Sequence, residues 1–260
     1  MTALTLPSYR TILVHLDESP RCAVRVTLAA QLAQAHGADL VGLAIASTER
    51  ALALTREFEA NARALGVACV EGRGVDGEPI STTVRHGRAA DLIVLGQHDS
   101  DTKTSVGRNF PEDVMLDSGR PVLLVPFVGQ YQVPSNHALV AWRGTREAAV
   151  AIRDALPLLV RCKQITLMRV LGASEAQSSL EADLAEIVRW LQRHGASAVE
   201  VYDTRSNIDA GNALLSRASD IGADLLVMGG YGHARLREVV MGGVTRGLLE
   251  QMTLPVLMSH

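Results

Sequence analysis

Two glycine clusters near the end of the chain are spaced in a way that suits phosphate chemistry. Gly229-Gly230-Tyr231-Gly232 follows an aliphatic run, and Gly242-Gly243-Val244-Thr245 begins nine residues later, giving G-x2-G-x9-G over Gly229, Gly232 and Gly242. Glycine just past a strand lets the backbone approach a ribose or phosphate closely and tolerates positive φ. The second cluster is expected to open a helix, where free N–H groups and the helix dipole favour an anion. Thr245 adds a hydroxyl, and the two ends together make a nest of amides for a polyphosphate. A G-x-x-G alone is more often a tight turn. The added spacing and the second cluster at a helix start point to phosphate.

Other polar residues carry weaker signals. Asp17 follows an aliphatic run and reads first as a turn or capping residue, second as a ligand. His15 lies inside that run and reads as a satisfied core histidine. His98 and Asp99 invite a metal or acid–base reading, but no third ligand is spaced to join them. His233 and Arg235, after Gly232, read as solvated, as do Arg21, Arg25, Arg85 and Arg88 on helix faces. No Walker G-x4-G-K-[ST], G-x-G-x-x-G, G-x-S-x-G or H-E-x-x-H pattern is present. Efficient phosphoryl transfer needs a held metal, a group orienting the nucleophile and charge stabilisation. The loop offers amides and arginines but no evident carboxylate for a metal. The chemistry implied is therefore binding, with slow ATP hydrolysis at most.

The elements that must position these residues occur twice. Thr11–Ala23 matches His137–Ala149, Ala90–Asp99 matches Ala223–Gly232, and Arg120–Val125 matches Leu254–Ser259, in the same order at offsets of about 126 to 134 residues. Three ordered matches point to a duplication, with residues 1–130 and 131–260 as the two domains and 127–136 as the linker. In the first copy, strands are expected over 11–16, 39–46, 67–71, 91–95 and 121–125, and helices over 20–36, 49–65, 78–86 and 111–117. Ser19-Pro20 supplies an N-cap and first-turn pair for the first helix. In the second copy, strands are expected near 138–142, 164–170, 198–202, 224–228 and 255–258, and helices near 146–160, 177–193, 210–221 and 243–251. Strict alternation implies parallel strands and right-handed crossovers. Each copy is then a five-stranded, doubly wound, Rossmann-like α/β domain. Its ligand is expected beyond the carboxyl ends of the strands where their order reverses. Apolar residues make up 47% and aromatics only 3%, so the core must be aliphatic, as buried parallel strands are.

The repeats, the strand ending in VMGGYG, the spaced loop and the closing Pro-Val-Leu strand together resemble a tandem universal stress protein. That resemblance implies ATP, AMP or ADP as the ligand, with Mg2+ allowed beside the phosphates. It gives Gly229 and Gly232 to ribose and phosphates, and Gly242, Gly243, Val244 and Thr245 to phosphates. Adenine is implied near the ends of the first two strands, at Ala141, Trp142 and Arg143, then Arg169 and Val170. The family has Ser or Thr where Gly243 stands, and loss of one neutral hydrogen bond costs about 0.5–1.5 kcal/mol. The family also often ends the first strand with an acid, which the first copy keeps as Asp17 and the second replaces with Arg143. Arg143 either reaches a phosphate or fills the adenine pocket. The first copy has Asp99 in place of the second loop glycine, so its site reads as degenerate. A universal stress scaffold acting through protein–protein contacts, without nucleotide, is the alternative. A nucleotidyl transferase or hydrolase is a third class, and no residue demands it.

The remaining features narrow the setting. A net charge of −3 without basic blocks argues against nucleic acid as partner. Cys22, Cys69 and Cys162 form neither a disulfide framework nor a metal pattern, as expected in a reducing cytoplasm. No signal peptide is expected at the N-terminus. No apolar run reaches the roughly 18 residues a membrane span needs. The last strand of each copy is expected at a sheet edge, which needs covering. The resemblance implies that the copies dock there as a pseudo-dimer and that the chain forms a further homodimer, in a stress-response role.

Overall fold

A computed structural model describes residues 6–98, 106–171, 181–196, 198–205, 209–231 and 243–260. The chain forms two compact units, Ser8–Val133 and Pro134–His260, the latter joined by Leu6 and Pro7. That attachment includes a hydrogen bond from Arg161 Nη1 to the Pro7 carbonyl at 2.8 Å.

The first unit alternates β1 (Thr11–Leu16), α1 (Cys22–His36), β2 (Asp39–Ile45), α2 (Thr48–Ala64), β3 (Val70–Val75), α3 (Pro79–Gly87), β4 (Leu92–Gly96), α4 (Phe110–Ser118) and β5 (Val122–Val125). Its strands lie in the order β3-β2-β1-β4-β5, and every pairing is parallel. The continuous aliphatic runs are buried on both faces: Ile12, Leu13, Val14, Leu92, Ile93 and Val94 are at most 1% exposed. Helix α1 stops at Gly37, whose φ of 62° allows its N–H to close onto the Ala33 and Gln34 carbonyls.

The second unit repeats the pattern with β6 (His137–Ala141), α5 (Arg146–Leu159), β7 (Gln164–Leu171), α6 (Glu181–Arg193), β8 (Val199–Arg205), α7 (Ala210–Asp220), β9 (Leu225–Gly229), α8 (Gly243–Gln251) and β10 (Val256–Ser259). Its order is β8-β7-β6-β9-β10, again parallel throughout. Both units are thus five-stranded, doubly wound α/β folds. Strand order reverses between β1 and β4 in one and between β6 and β9 in the other. These are the two places where such a fold opens a crevice for a ligand.

Two expectations require correction. The strand expected over 67–71 forms over Val70–Val75 and so runs through Gly72 and Gly74. Helix α2 lies so close that a Cβ on Gly72 would sit 2.8 Å from Thr55 Cβ, and one on Gly74 3.0 Å from Ala51 Cβ. The glycines there allow close packing instead of ending the strand. Ser19 is not the N-cap of α1, which begins after Arg21. The Ser19 hydroxyl and amide instead donate to Asp17 Oδ1 at 2.6 and 3.0 Å.

Candidate functional site

At the reversal point of the second unit, β6 and β9 end side by side. Val140 pairs with Val227, so Trp142 and Gly229 each lie two residues past that pair at the same end of the sheet. Trp142 is 8% exposed, its amide donates to the Met168 carbonyl at 2.9 Å, and its buried indole Nε1 has no hydrogen-bond partner among the described residues. A buried indole N–H normally finds a partner. Ala141 is half-buried, Arg143 is exposed, and Gly144 turns the chain with φ 66°. Thr145 then caps α5, its hydroxyl accepting from Ala148 N at 3.3 Å.

Gly229 is glycine because helix α5 leaves no room for a side chain. A Cβ there would lie 2.5 Å from the Glu147 carbonyl carbon and 2.7 Å from Ala148 N. Among the described residues of this loop, Tyr231 is left-handed, with φ 60°, and Gly229 is not. Gly230 is pinned to β10: its amide donates to the Ser259 carbonyl at 2.9 Å, and His260 Nδ1 lies 3.0 Å from its carbonyl. Gly243 and Val244 are the first residues of α8, and Thr245 is 7% exposed within it. Gly232 and Gly242, with His233 and Arg235, lie outside the described residues. The structure therefore brings together Ala141, Trp142, Arg143 and Gly229 at one end of one sheet and places Gly243 at a helix start.

Val170 is half-buried near the end of β7. Its neighbour Arg169 is 1% exposed and is held bidentate by Asp203, directly opposite on β8, with Nε 2.9 Å from Oδ1. Its Nη1 is buried without a hydrogen bond among the described residues. Asp203 was not a sequence candidate. The cross-strand register that pairs it with Arg169 could be found only from the sheet.

The first unit holds a different arrangement at its reversal point. Arg25, expected on a solvated face, is 2% exposed. It stands three, four and seven residues before Leu28, Ala29 and Leu32, on the apolar stripe of α1, and that spacing was the readable signal. Its Nε donates to the His15 carbonyl at 2.8 Å, and its Nη2 lies 3.0 Å from Asp17 Oδ2. Its Nη1 sits where a Cβ on Gly96 would be, 2.5 Å away. A cavity of about 180 Å³ opens beside this pair, lined among others by His15, Asp17, Arg25, Gly96 and Phe110. His15 stacks on Phe110 with ring centroids 5.0 Å apart. It is thus a cavity wall as well as a core residue. His98 also lines this cavity, Asp99 lies outside the described residues, and no metal-binding cluster occurs among the described residues.

Burial, then the charge of Arg25, depresses the His15 pKa from 6.5 to about 4, against a smaller upward pull from Asp17. Burial is the largest single influence on Asp17 and opposes its ionisation. Arg25, with the two Ser19 hydrogen bonds, outweighs it and holds the carboxyl below its ordinary range. Unfolded His15 takes up a proton near pH 6.5 while folded His15 resists until about 4. Its contribution to stability is therefore complete above pH 6.5 and is lost as pH falls through 4, where protonation of Asp17 adds to the loss. We expect urea midpoints of the first unit to fall steadily from pH 6.5 to pH 4. His15→Phe should flatten that slope. A pH-independent midpoint across this window would contradict the assignment.

Comparison with known proteins identifies the fold. Residues 135–260 match the model of the universal stress protein family. Over 96% of the chain, the fold is similar to a universal stress protein from Archaeoglobus fulgidus DSM 4304, with a TM-score of 0.75, 14% identity and 95% of that chain covered. It is also similar to a functionally unknown protein from Pseudomonas aeruginosa PAO1, with a TM-score of 0.68, 15% identity and coverage of 96% and 92% of the two chains. A universal stress protein solved in complex with cAMP is 30% identical over 46% of this chain and 98% of its own, with a TM-score of 0.41. No curated protein matches the chain. Among the described residues, no helix is long and apolar enough to cross a membrane. With its Usp match over 135–260 and two copies of the corresponding fold, the chain belongs to the universal stress protein family.

Proposed function

We propose that the second domain, residues 131–260, binds an adenine nucleotide, ATP or its lower phosphates, and that the protein acts as a regulator in the stress response. The observation that carries this reading is the buried indole N–H of Trp142, which has no hydrogen-bond partner among the described residues. It stands at the sheet's reversal point, on the same end as Gly229, from which the G-x2-G-x9-G spacing runs to the start of α8. An unmet donor in a buried position costs about 1–3 kcal/mol, which a ligand acceptor would relieve. In this reading Ala141, Trp142, Arg143 and Val170 border the base. Gly229, Gly232, Gly242, Gly243, Val244 and Thr245 hold ribose and phosphates, with Mg2+ as the phosphates' counter-ion. The first domain, residues 1–130, has a degenerate nucleotide site. A cytoplasmic homodimer is the form proposed to carry this role.

The test is a calorimetric titration of ATP and AMP into the wild type and Gly232→Asp, the substitution that copies Asp99 of the first domain. A drop in ATP affinity of about a hundredfold is expected, since a carboxylate would then face phosphate at close range. Equal affinity for ATP in both proteins would sink the site assignment. The second reading, a scaffold that works through protein partners, is favoured by the packing of Gly229 on Glu147, which accounts for that glycine without a ligand. Native mass spectrometry of freshly purified protein separates the two, because a co-purified nucleotide excludes the scaffold.

A further inference from the structure

We propose that the cavity of the first unit is a separate binding site for a small aromatic monocarboxylate. Nothing in this inference depends on nucleotide binding by the second unit.

Size comes first. The cavity holds about 180 Å³. A void of about 150 Å³ accommodates benzene, so this one has room for a six-membered ring and one small substituent. Its walls are largely apolar: Phe110, Val125 and Phe127 line it, together with Pro20, Pro111 and Pro126. Phe110 already stacks with His15, and an aromatic ring extends that stack favourably.

Charge selects the rest of the ligand. Two guanidiniums, Arg21 and Arg25, and one carboxylate, Asp17, line the cavity, leaving one positive charge in excess. Arg25 is 2% exposed, and its Nη2 has only the ion pair to Asp17, with no hydrogen bond among the described residues. Arg21 Nε and His98 Nδ1 are likewise buried and without a hydrogen-bond partner among the described residues. Arg21, Arg25 and His98 thus bring three incompletely satisfied side chains to the wall of one small cavity, where such groups are normally satisfied. A planar carboxylate matches the guanidinium fork and brings one negative charge. A phosphate dianion brings two, beside Asp17, which repels it. His15 is neutral at physiological pH and does not alter this balance.

The probe is sodium benzoate, titrated into the full-length protein at pH 7.5, with benzamide as its uncharged counterpart. Saturable binding at one site per chain is expected, with benzamide weaker by about tenfold or more, the worth of one charge-assisted hydrogen bond. Arg21→Gln, at a half-buried position, should weaken benzoate by a similar factor, with a melt lowered only by the loss of its donations to the Gly129 and Pro126 carbonyls. Arg25→Met should abolish binding. If that variant does not fold, Arg21→Gln and benzamide still decide the matter. Excess ATP should not displace benzoate. The proposal is overturned by any one of four results: no saturable binding, equal affinity for benzamide, unchanged affinity in Arg21→Gln, or displacement by ATP.

Discussion

Asp17→Ala is expected to destabilise the first unit by about 3–5 kcal/mol, and Arg25→Met by only about 1–2 kcal/mol. The pair meets at 3.0 Å, yet its members are not equally replaceable. Arg25 has 3% of its side chain exposed and cannot lose its charge. Without Asp17 it keeps, among the described residues, a single hydrogen bond, to the His15 carbonyl. Asp17 is 13% exposed, retains two hydrogen bonds from Ser19, and can take up a proton. Removing the carboxylate therefore strands a buried charge, whereas removing the guanidinium leaves a group that can adjust. The double variant should recover most of the loss, because an apolar pair strands nothing. Urea denaturation is informative here because Trp142 and Trp190, the chain's two tryptophans, both lie in the second unit. If the units unfold independently, far-UV circular dichroism will show the early transition of Asp17→Ala while tryptophan fluorescence keeps the wild-type midpoint. Equal losses from the two single variants would refute the asymmetry.

The same pair shows where sequence reasoning stops. The alternation of strands and helices was legible because the central parallel strands are largely aliphatic runs, as in Leu92–Leu95 and Leu225–Met228, and each helix follows at a turn. The duplication was legible for the same reason, since those runs recur in order. Element ends were less so: β3 runs through two glycines because α2 lies on it, and that closeness is tertiary. Charged residues were the hardest to place. Arg25 was assigned to solvent by its residue type, although its spacing to Leu28, Ala29 and Leu32 put it on the buried stripe. Its burial becomes intelligible only with Asp17 and the His15 carbonyl beside it. Arg169 and Asp203 are 34 residues apart in sequence and meet through strand register alone. The glycine loop of the second unit was found by spacing, but spacing does not separate glycines required by packing from glycines required by a ligand.

Gly229→Ala is expected to cost about 2–3 kcal/mol, the scale of overpacking in a rigid site. The added Cβ meets backbone atoms, Glu147 C at 2.5 Å and Ala148 N at 2.7 Å, in the first turn of a helix fixed by its Thr145 cap. The loop cannot yield freely on the other side, since Gly230 is hydrogen-bonded to β10. Gly96 is its counterpart in the first unit, but a Cβ there meets only the tip of a side chain, Arg25 Nη1 at 2.5 Å. Gly96→Ala should cost about 1 kcal/mol, and the cost should vanish in an Arg25→Met background, a coupling that a double-mutant cycle measures. No single side-chain deletion rescues Gly229→Ala, because its obstruction is backbone. Thermal melts and ATP titrations on the same samples then sort the second-unit glycines by role. Gly229→Ala should lower stability and ATP affinity together, because it displaces the strand end that carries the loop. Gly232→Asp should lower ATP affinity alone. Were Gly229→Ala to melt with the wild type, the contact with Glu147 would not be what makes that position glycine, and the ligand would be left as the reason for it.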